Sequence, residues 1–137
     1  MSAKADLDIR YSPSQERRTP ESYVLHACLD YLYYSHIWAV RMNTGKLPVA
    51  GHKDEVRFVR FGTKGMADIL SMPCLDLHNL GRIVPVPLWI ECKAKGNSPS
   101  EQQLSFRDWV VSNGHFYLVA YGPDDIALWI ENHRRMQ

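Results

Sequence analysis

The feature that most constrains this chain is a short apolar segment that contains two charges, LWIECKA at residues 88–94. Its apolar and β-forming residues predict a central strand, because both faces of such a strand are covered. Glu91 and Lys93 are two positions apart, so they share one face of that strand. A buried charge costs several kcal/mol unless something compensates it. The segment therefore requires either a structural ion pair or a site that uses the two charges.

A second acidic residue precedes that segment, at a glycine-rich turn. In FGTKGMADIL, residues 61–70, Asp68 follows two glycines and begins a predicted strand. If this strand lies beside the central one, the Asp68 carboxylate can reach the face of Glu91. Two carboxylates are hard oxygen ligands that suit Mg²⁺ or Mn²⁺. A nearby ammonium can orient an attacking water or offset charge on a phosphate, so the arrangement predicts phosphodiester hydrolysis. A buried ion-pair network is the alternative.

Capping signals predict three helices. Thr19-Pro20-Glu21 begins a first helix near residues 20–35, and its Glu21 could add a carboxylate to the same site through water. Ser100-Glu-Gln-Gln103 is a capping box that begins a helix ending near Ser112. Pro123-Asp124-Asp125 begins a closing helix.

The strands follow from β-forming runs between turn residues. We expect them at residues 37–43, 56–61, from 68 onward, 88–94 and 115–121. Residues 43–55 are interpreted as a loop, and so are residues 73–87, which contain three prolines and a glycine. The resulting order, α-β-β-β-β-α-β-α, predicts a two- or three-layer α/β domain with a mixed sheet.

Length and composition place the chain in the soluble globular class. Its 137 residues match one compact domain, and 45% of them are apolar while 23% are charged. No apolar run approaches the roughly 18 residues of a membrane span, and no secretory signal is expected. Three cysteines without paired spacing favour a reducing cytosol. Residues 1–18 are polar and predict a flexible N-terminal arm before a domain at residues 19–137.

Five short motifs follow one another along the chain, and together they span about residues 20–121. They are Glu21-Ser-x-Val24, Arg41-x-Asn43-x-Gly45, Arg57-Phe-x-Arg60-Phe-Gly-x-Lys64-Gly65-x-x-Asp68, Ile90-Glu91-Cys92-Lys93 and Ser100-x-x-Gln103-x-x-Phe106. In combination they resemble the VRR-NUC branch of the PD-(D/E)XK nuclease superfamily. The resemblance implies a restriction-endonuclease-like fold, a mixed β-sheet flanked by helices. It also implies a Mg²⁺-dependent DNA endonuclease in which Mn²⁺ can substitute.

The resemblance assigns roles to the charged residues. Asp68, Glu91 and the Cys92 backbone carbonyl would hold the metal ion, and Lys93 would act on the attacking water. Glu21 would assist through a second metal ion or through water.

A glutamine on the following helix would support the site. Gln103 is the expected residue, although Gln102 matches the spacing to Phe106 that other branches use. Two features depart from the family pattern. Ala67 stands where the superfamily often has proline before the metal-binding aspartate. Residues 73–87 are longer than a tight hairpin and are interpreted as an insertion near the substrate or a dimer contact.

The resemblance also implies a partner and a location. Small stand-alone members occur in phages and bacteria, act as homodimers and prefer branched DNA such as Holliday junctions. We therefore expect DNA as substrate and a bacterial cytosol or phage-infected cell as location. An end- or flap-directed nuclease and a non-catalytic nucleic-acid-binding module of the same fold are the alternatives. The predicted phosphate contacts, for which a solvated face is the alternative, are Arg41, Lys46, Arg57, Arg60, Lys64 and Lys95.

A zinc site and nucleophilic triads are disfavoured. Cys74 and His78, with His52 or Cys28, lack the spacing of a zinc finger.

Overall fold

The computed structural model describes residues 19–42, 45–50, 56–77 and 81–134, and for residues 45–50, 56–61 and 77 it describes the backbone alone. The predicted N-terminal arm, residues 1–18, lies outside the described residues.

Three helices and eight strands make up the described chain. The helices are α1 (Pro20–Tyr34), α2 (Glu101–Ser112) and α3 (Pro123–Arg134). The strands are β1 (Trp38–Arg41), β2 (Gly45–Ala50), β3 (Val56–Phe61), β4 (Ile69–Met72), β5 (Cys74–Leu77), β6 (Arg82–Pro85), β7 (Leu88–Cys92) and β8 (Phe116–Ala120). No helix in the described ranges combines the length and apolarity that crossing a membrane requires.

The main sheet has four strands in the order β1-β4-β7-β8. The pairs β1–β4 and β4–β7 are antiparallel, whereas β7 and β8 are parallel. Helix α2 provides the crossover that a parallel pair requires. All five residues of β7 are buried, as the apolar run predicted for a central strand. The predicted α/β class with a mixed sheet is thus confirmed.

Helices cover both faces of this sheet and form three layers. One core lies between the sheet and helices α1 and α3, and it contains Leu29, Ile90 and Ile126. A smaller core lies on the other face, where Phe106 and Val110 of α2 pack with Trp89. The strand β7 therefore sends alternate side chains into two different cores, and Glu91 points to the α2 side.

Two segments that the sequence predicted to be loops contain strands, which corrects the predicted element order. Residues 45–50 form β2 and pair antiparallel with β3. Within residues 73–87, β5 and β6 form an antiparallel pair, while residues 78–80 lie outside the described chain. The prolines of residues 73–87 suggested a loop because proline cannot donate a hydrogen bond to a β-ladder. Pro48 and Pro85 lie in two-stranded sheets, however, where each strand has a free edge that needs no donor.

The turn before Asp68 depends on a glycine. Gly65 has φ +81°, in the left-handed region, and a Cβ at this position would lie 2.3 Å from the Gln102 carbonyl oxygen. Only glycine permits both the conformation and this approach to the first turn of α2. The turn thereby packs the residues that lead into Asp68 against the helix that carries Gln103.

Candidate metal centre

Strand pairing brings Asp68 and Glu91 together. β4 and β7 run antiparallel with Ile69 opposite Ile90, so the residue before β4 lies level with Glu91. The Cys92 peptide N–H donates to Asp68 Oδ2 at 2.8 Å, which holds this carboxylate at the end of β7. The two acids therefore lie together, because the two strands are neighbours, which was the condition that the sequence left open.

The start of helix α1 supplies a third carboxylate. Thr19 is the N-cap, and its side chain accepts a hydrogen bond from the Ser22 N–H at 3.1 Å. Glu21 lies in the first turn, where an acid is also favoured by the helix dipole. Carboxylate oxygens of Glu21, Asp68 and Glu91 all lie within 4.8 Å of one another. These three residues are called the carboxylate cluster below.

Lys93 lies against this cluster and compensates part of its charge. Its Nζ is 3.3 Å from Glu91 Oε1 and 3.6 Å from Glu21 Oε1. Lys93 is 8% exposed and Glu91 is fully buried, so the attraction between them is little screened by solvent. An ion pair is present, but one ammonium cannot neutralise three carboxylates. With all three carboxylates ionised, the cluster and Lys93 together carry a net negative charge, which a divalent cation would neutralise.

Helix α2 orients Glu91 through Gln103. The Gln103 Nε2 amide donates to Glu91 Oε1 at 2.6 Å, and its Oε1 accepts from the Ser100 N–H at 2.8 Å. One side chain thus completes the capping box of α2 and binds the buried acid. Gln102, the alternative, is exposed. The structure places Gln103 at the cluster.

The protonation of the cluster reflects crowding of buried acids. Burial, followed by repulsion from Asp68, raises the pKa of Glu91 to about 8. Burial also raises the pKa of Asp68, against the Cys92 N–H hydrogen bond, which lowers it. Burial acts to lower the pKa of Lys93, but Glu91 and the other two carboxylates together raise it. Without a cation, the buried acids therefore favour their protonated forms.

One oxygen of the cluster is suited to a metal ion. Glu91 Oε2 is buried and has no hydrogen-bond partner among the described residues. A buried carboxylate oxygen without a partner is rare, and an ion is one of its ordinary explanations. Three carboxylates with this free oxygen fit a hard divalent cation such as Mg²⁺ or Mn²⁺. The Cys92 N–H contact places the Cys92 backbone at the cluster, and its carbonyl as a ligand stays a prediction.

A pocket of about 700 Å³ opens beside the cluster. The first turn of α1 forms one wall with Glu21 and Ser22, and Arg41, Asp68 and Asn97 line other parts of it. The cluster is therefore accessible to a ligand although Glu91 itself is buried.

The predicted phosphate contacts are distributed unevenly around the pocket. Arg41 lines it, and its charge acts to lower the pKa of Asp68. Lys64 and Lys95 are exposed near the two motifs. Lys46 lies opposite Arg60 in the β2–β3 pair, and Arg57 is in the same pair, but the side chains of these three lie outside the described part. Their contact with DNA stays a prediction.

The described residues do not support the zinc alternative. Cys28 is fully buried in the core, whereas Cys74 is exposed on β5. His52 and His78 lie outside the described residues. Within the described ranges, the carboxylate cluster is the one group of three metal-binding side chains.

One residue near the cluster was not predicted from the sequence. Tyr117 lies on β8 opposite Trp89, and its hydroxyl is a second buried atom without a hydrogen-bond partner in the described chain. Nothing in the segment HFYLVAY distinguishes Tyr117 from a packing aromatic. The pairing of β7 with β8 is what places it on the Glu91 face.

Comparison of the chain with protein-family models, curated proteins and solved structures found no match in any of the three.

Proposed function

We propose that this protein is a Mg²⁺-dependent endonuclease that hydrolyses phosphodiester bonds in DNA, with selectivity for branched substrates such as Holliday junctions. We place it in the VRR-NUC branch, with a restriction-endonuclease-like fold and a homodimeric assembly in a bacterial cytosol or phage-infected cell. The observation that carries the proposal is the convergence of Glu21, Asp68, Glu91 and Lys93 beside an open pocket. The quoted sequence motifs contain all four residues.

In the proposed hydrolysis, the carboxylates bind the metal ion, whereas Lys93 and Gln103 orient the reacting groups and the ligands. Asp68, Glu91 and Glu21 would hold a divalent cation, which supplies Lewis-acid activation of water and of the phosphate when bound. Lys93 keeps its proton beside the carboxylates, so it can donate to the attacking water or to a phosphate oxygen and offset charge in the transition state. Gln103 holds Glu91 in place from α2.

A single assay tests this function. Labelled duplex, single-stranded, flap and four-way-junction DNA are incubated with Mg²⁺, Mn²⁺, Ca²⁺ or EDTA. We expect Mg²⁺ and Mn²⁺ to support cleavage, with junctions cut fastest, and Ca²⁺ to bind but support it poorly. If ends or flaps are cut fastest, the protein is an end- or flap-directed nuclease and the assignment to branched DNA is wrong.

The matched control is Glu101→Gln, which removes an exposed carboxylate on α2 that does not belong to the cluster. It should cleave like the wild type, whereas Asp68→Asn should not cleave. Activity that survives exhaustive EDTA treatment, or no cleavage of any substrate with either metal, would overturn the proposed function. DNA binding without cleavage would favour the binding module.

A further inference from the structure

Two buried polar side-chain atoms have no hydrogen-bond partner in the described part of the chain, and both belong to the same side of the sheet. They are Glu91 Oε2 and the Tyr117 hydroxyl. Buried polar groups are almost always satisfied by protein, water or an ion. Leaving a buried hydroxyl without a partner destabilises the fold. A metal ion accounts for Glu91 but leaves Tyr117 unexplained.

Strand register places the two side chains close to each other. β7 and β8 are parallel, with Trp89 opposite Tyr117 and Glu91 opposite Val119, so Tyr117 and Glu91 face the same way. Their backbone positions differ by two residues along the strand and by one strand across, about 6.6 Å and 4.8 Å. Both side chains leave the same face of the sheet at diagonal positions on adjacent strands, so they occupy adjoining parts of that face.

Helix α2 closes over the space between them. Gln103 contacts Glu91 directly, and Arg107, one turn later, acts electrostatically on Tyr117. Burial, followed by the negative charge of Glu91, raises the pKa of Tyr117 above its ordinary value. The phenol therefore keeps its proton and is available as a donor toward the carboxylate.

We propose that one buried water links the Tyr117 hydroxyl to Glu91 Oε2, which makes Tyr117 a positioning residue of the metal centre. The link would hold Glu91 from the β8 side, as Gln103 holds it from the α2 side. A water enclosed by polar atoms of this kind is an ordinary part of a protein interior. The positioning role rests on the proposed function, since it requires that Glu91 binds metal.

Tyr117→Phe tests the link because it removes the hydroxyl and little else. In metal-free protein we expect its Tm to fall by about 3–5 °C, the shift typical of a lost hydrogen bond in a domain of this size. If the hydroxyl has no partner, Tyr117→Phe should instead raise the Tm, because the substitution removes a buried polar group that makes no hydrogen bond. Tyr34→Phe is the control, because Tyr34 is 77% exposed and lies on α1. An unchanged or higher Tm for Tyr117→Phe would overturn the link.

Mn²⁺ binding, measured by calorimetry, separates positioning from general destabilisation. Tyr117→Phe should bind Mn²⁺ about tenfold more weakly, the lower end of what outer-shell changes cost. Val110→Ala removes buried volume from the same core but no polar atom, so it should lower Tm and keep the Mn²⁺ affinity. Equal affinity of Tyr117→Phe and wild type would overturn the positioning role. If the wild type itself binds no Mn²⁺, the proposed function and the positioning role fail together. The Tm of metal-free Tyr117→Phe then decides by itself whether the water link between Tyr117 and Glu91 exists.

Discussion

At the scale of single residues, Glu91 is completely buried, and only one of its two carboxylate oxygens has partners. Lys93 and Gln103 both contact its Oε1, whereas Oε2 has no hydrogen-bond partner among the described residues. In the metal-free protein, burial and then repulsion from Asp68 oppose ionisation of Glu91 and raise its pKa. Glu91 is thus poorly suited to be one half of a stabilising ion pair and better suited to bind a cation.

Glu91→Gln distinguishes these two roles. Gln is nearly isosteric with the protonated acid, so we expect Tm without metal to stay equal or to rise. Cleavage should fall by about 10²–10³, as it does when one preorganised group is removed from a catalytic site. DNA affinity should change little, because basic contacts to phosphates supply most of it. Thermal melts, cleavage rates and DNA binding measure the three effects.

A structural ion pair predicts a different result for the same variant. Breaking a buried pair costs about 3–5 kcal/mol and would lower Tm sharply. Glu101→Gln, on the exposed side of α2, controls for the loss of one negative charge.

The raised pKa of Glu91 also predicts how stability depends on pH. Its pKa rises from about 4.5 in the unfolded chain to about 8 in the fold. Between these values the folded state binds more protons, so the free energy of unfolding without metal should decrease as pH rises and level off above about pH 8. Melts in EDTA from pH 5 to pH 8.5 measure this trend.

Glu91→Gln again provides the comparison, since it cannot titrate at this position. Its Tm should decline less steeply with pH than that of the wild type, and equal slopes would contradict the assignment. With Mg²⁺ present, stabilisation by the metal should grow with pH because the cation competes with the proton.

At the scale of elements, the cluster depends on contacts between the ends of α1, β4, β7 and α2. The Gln103 side chain joins the start of α2 to β7, and the turn at Gly65 joins the approach to β4 to the same helix end. No single element holds more than one of the four charged residues, since Asp68 lies just before β4 and Lys93 just after β7. The geometry of the site should therefore be sensitive to changes at these helix and turn boundaries.

Gly65→Ala should disturb this arrangement more than a comparable glycine substitution. Gly114, at the end of α2, has φ +82° against +81° for Gly65, but nothing lies within 4 Å of a Cβ there. Gly114→Ala should cost about 1–2 kcal/mol from the left-handed conformation alone. Gly65→Ala should cost more, because its Cβ meets the Gln102 carbonyl. Urea denaturation of both variants measures the difference. Equal losses in the free energy of unfolding would contradict the prediction, because they would mean that the contact with the Gln102 carbonyl costs nothing.

At the scale of the whole molecule, the described chain carries one carboxylate cluster, whereas symmetric cutting of a junction requires two. A C₂ homodimer is the simplest closed assembly that supplies two sites. We expect light scattering at micromolar concentration to give twice the chain mass. A strict monomer with full junction cleavage would contradict this prediction.

Local sequence patterns were sufficient for most elements near the site. Capping boxes and apolar runs act within a few residues, so the starts of α1 and α2 and the burial of β7 agree with the sequence predictions. The loop predictions for the two segments that form β2, β5 and β6 were wrong, because glycine and proline mark both loops and the edges of two-stranded sheets. Whether such a segment pairs depends on the partner strand and not on its own residues.

For the site, the sequence by itself determined which charges share a face of β7 and which helix starts carry Glu21 and Gln103, because side-chain alternation and capping are local rules. Only the tertiary structure decided that Asp68 lies level with Glu91 and that Tyr117 lies on the same face. These placements follow from strand register, which is set by packing between segments distant in sequence.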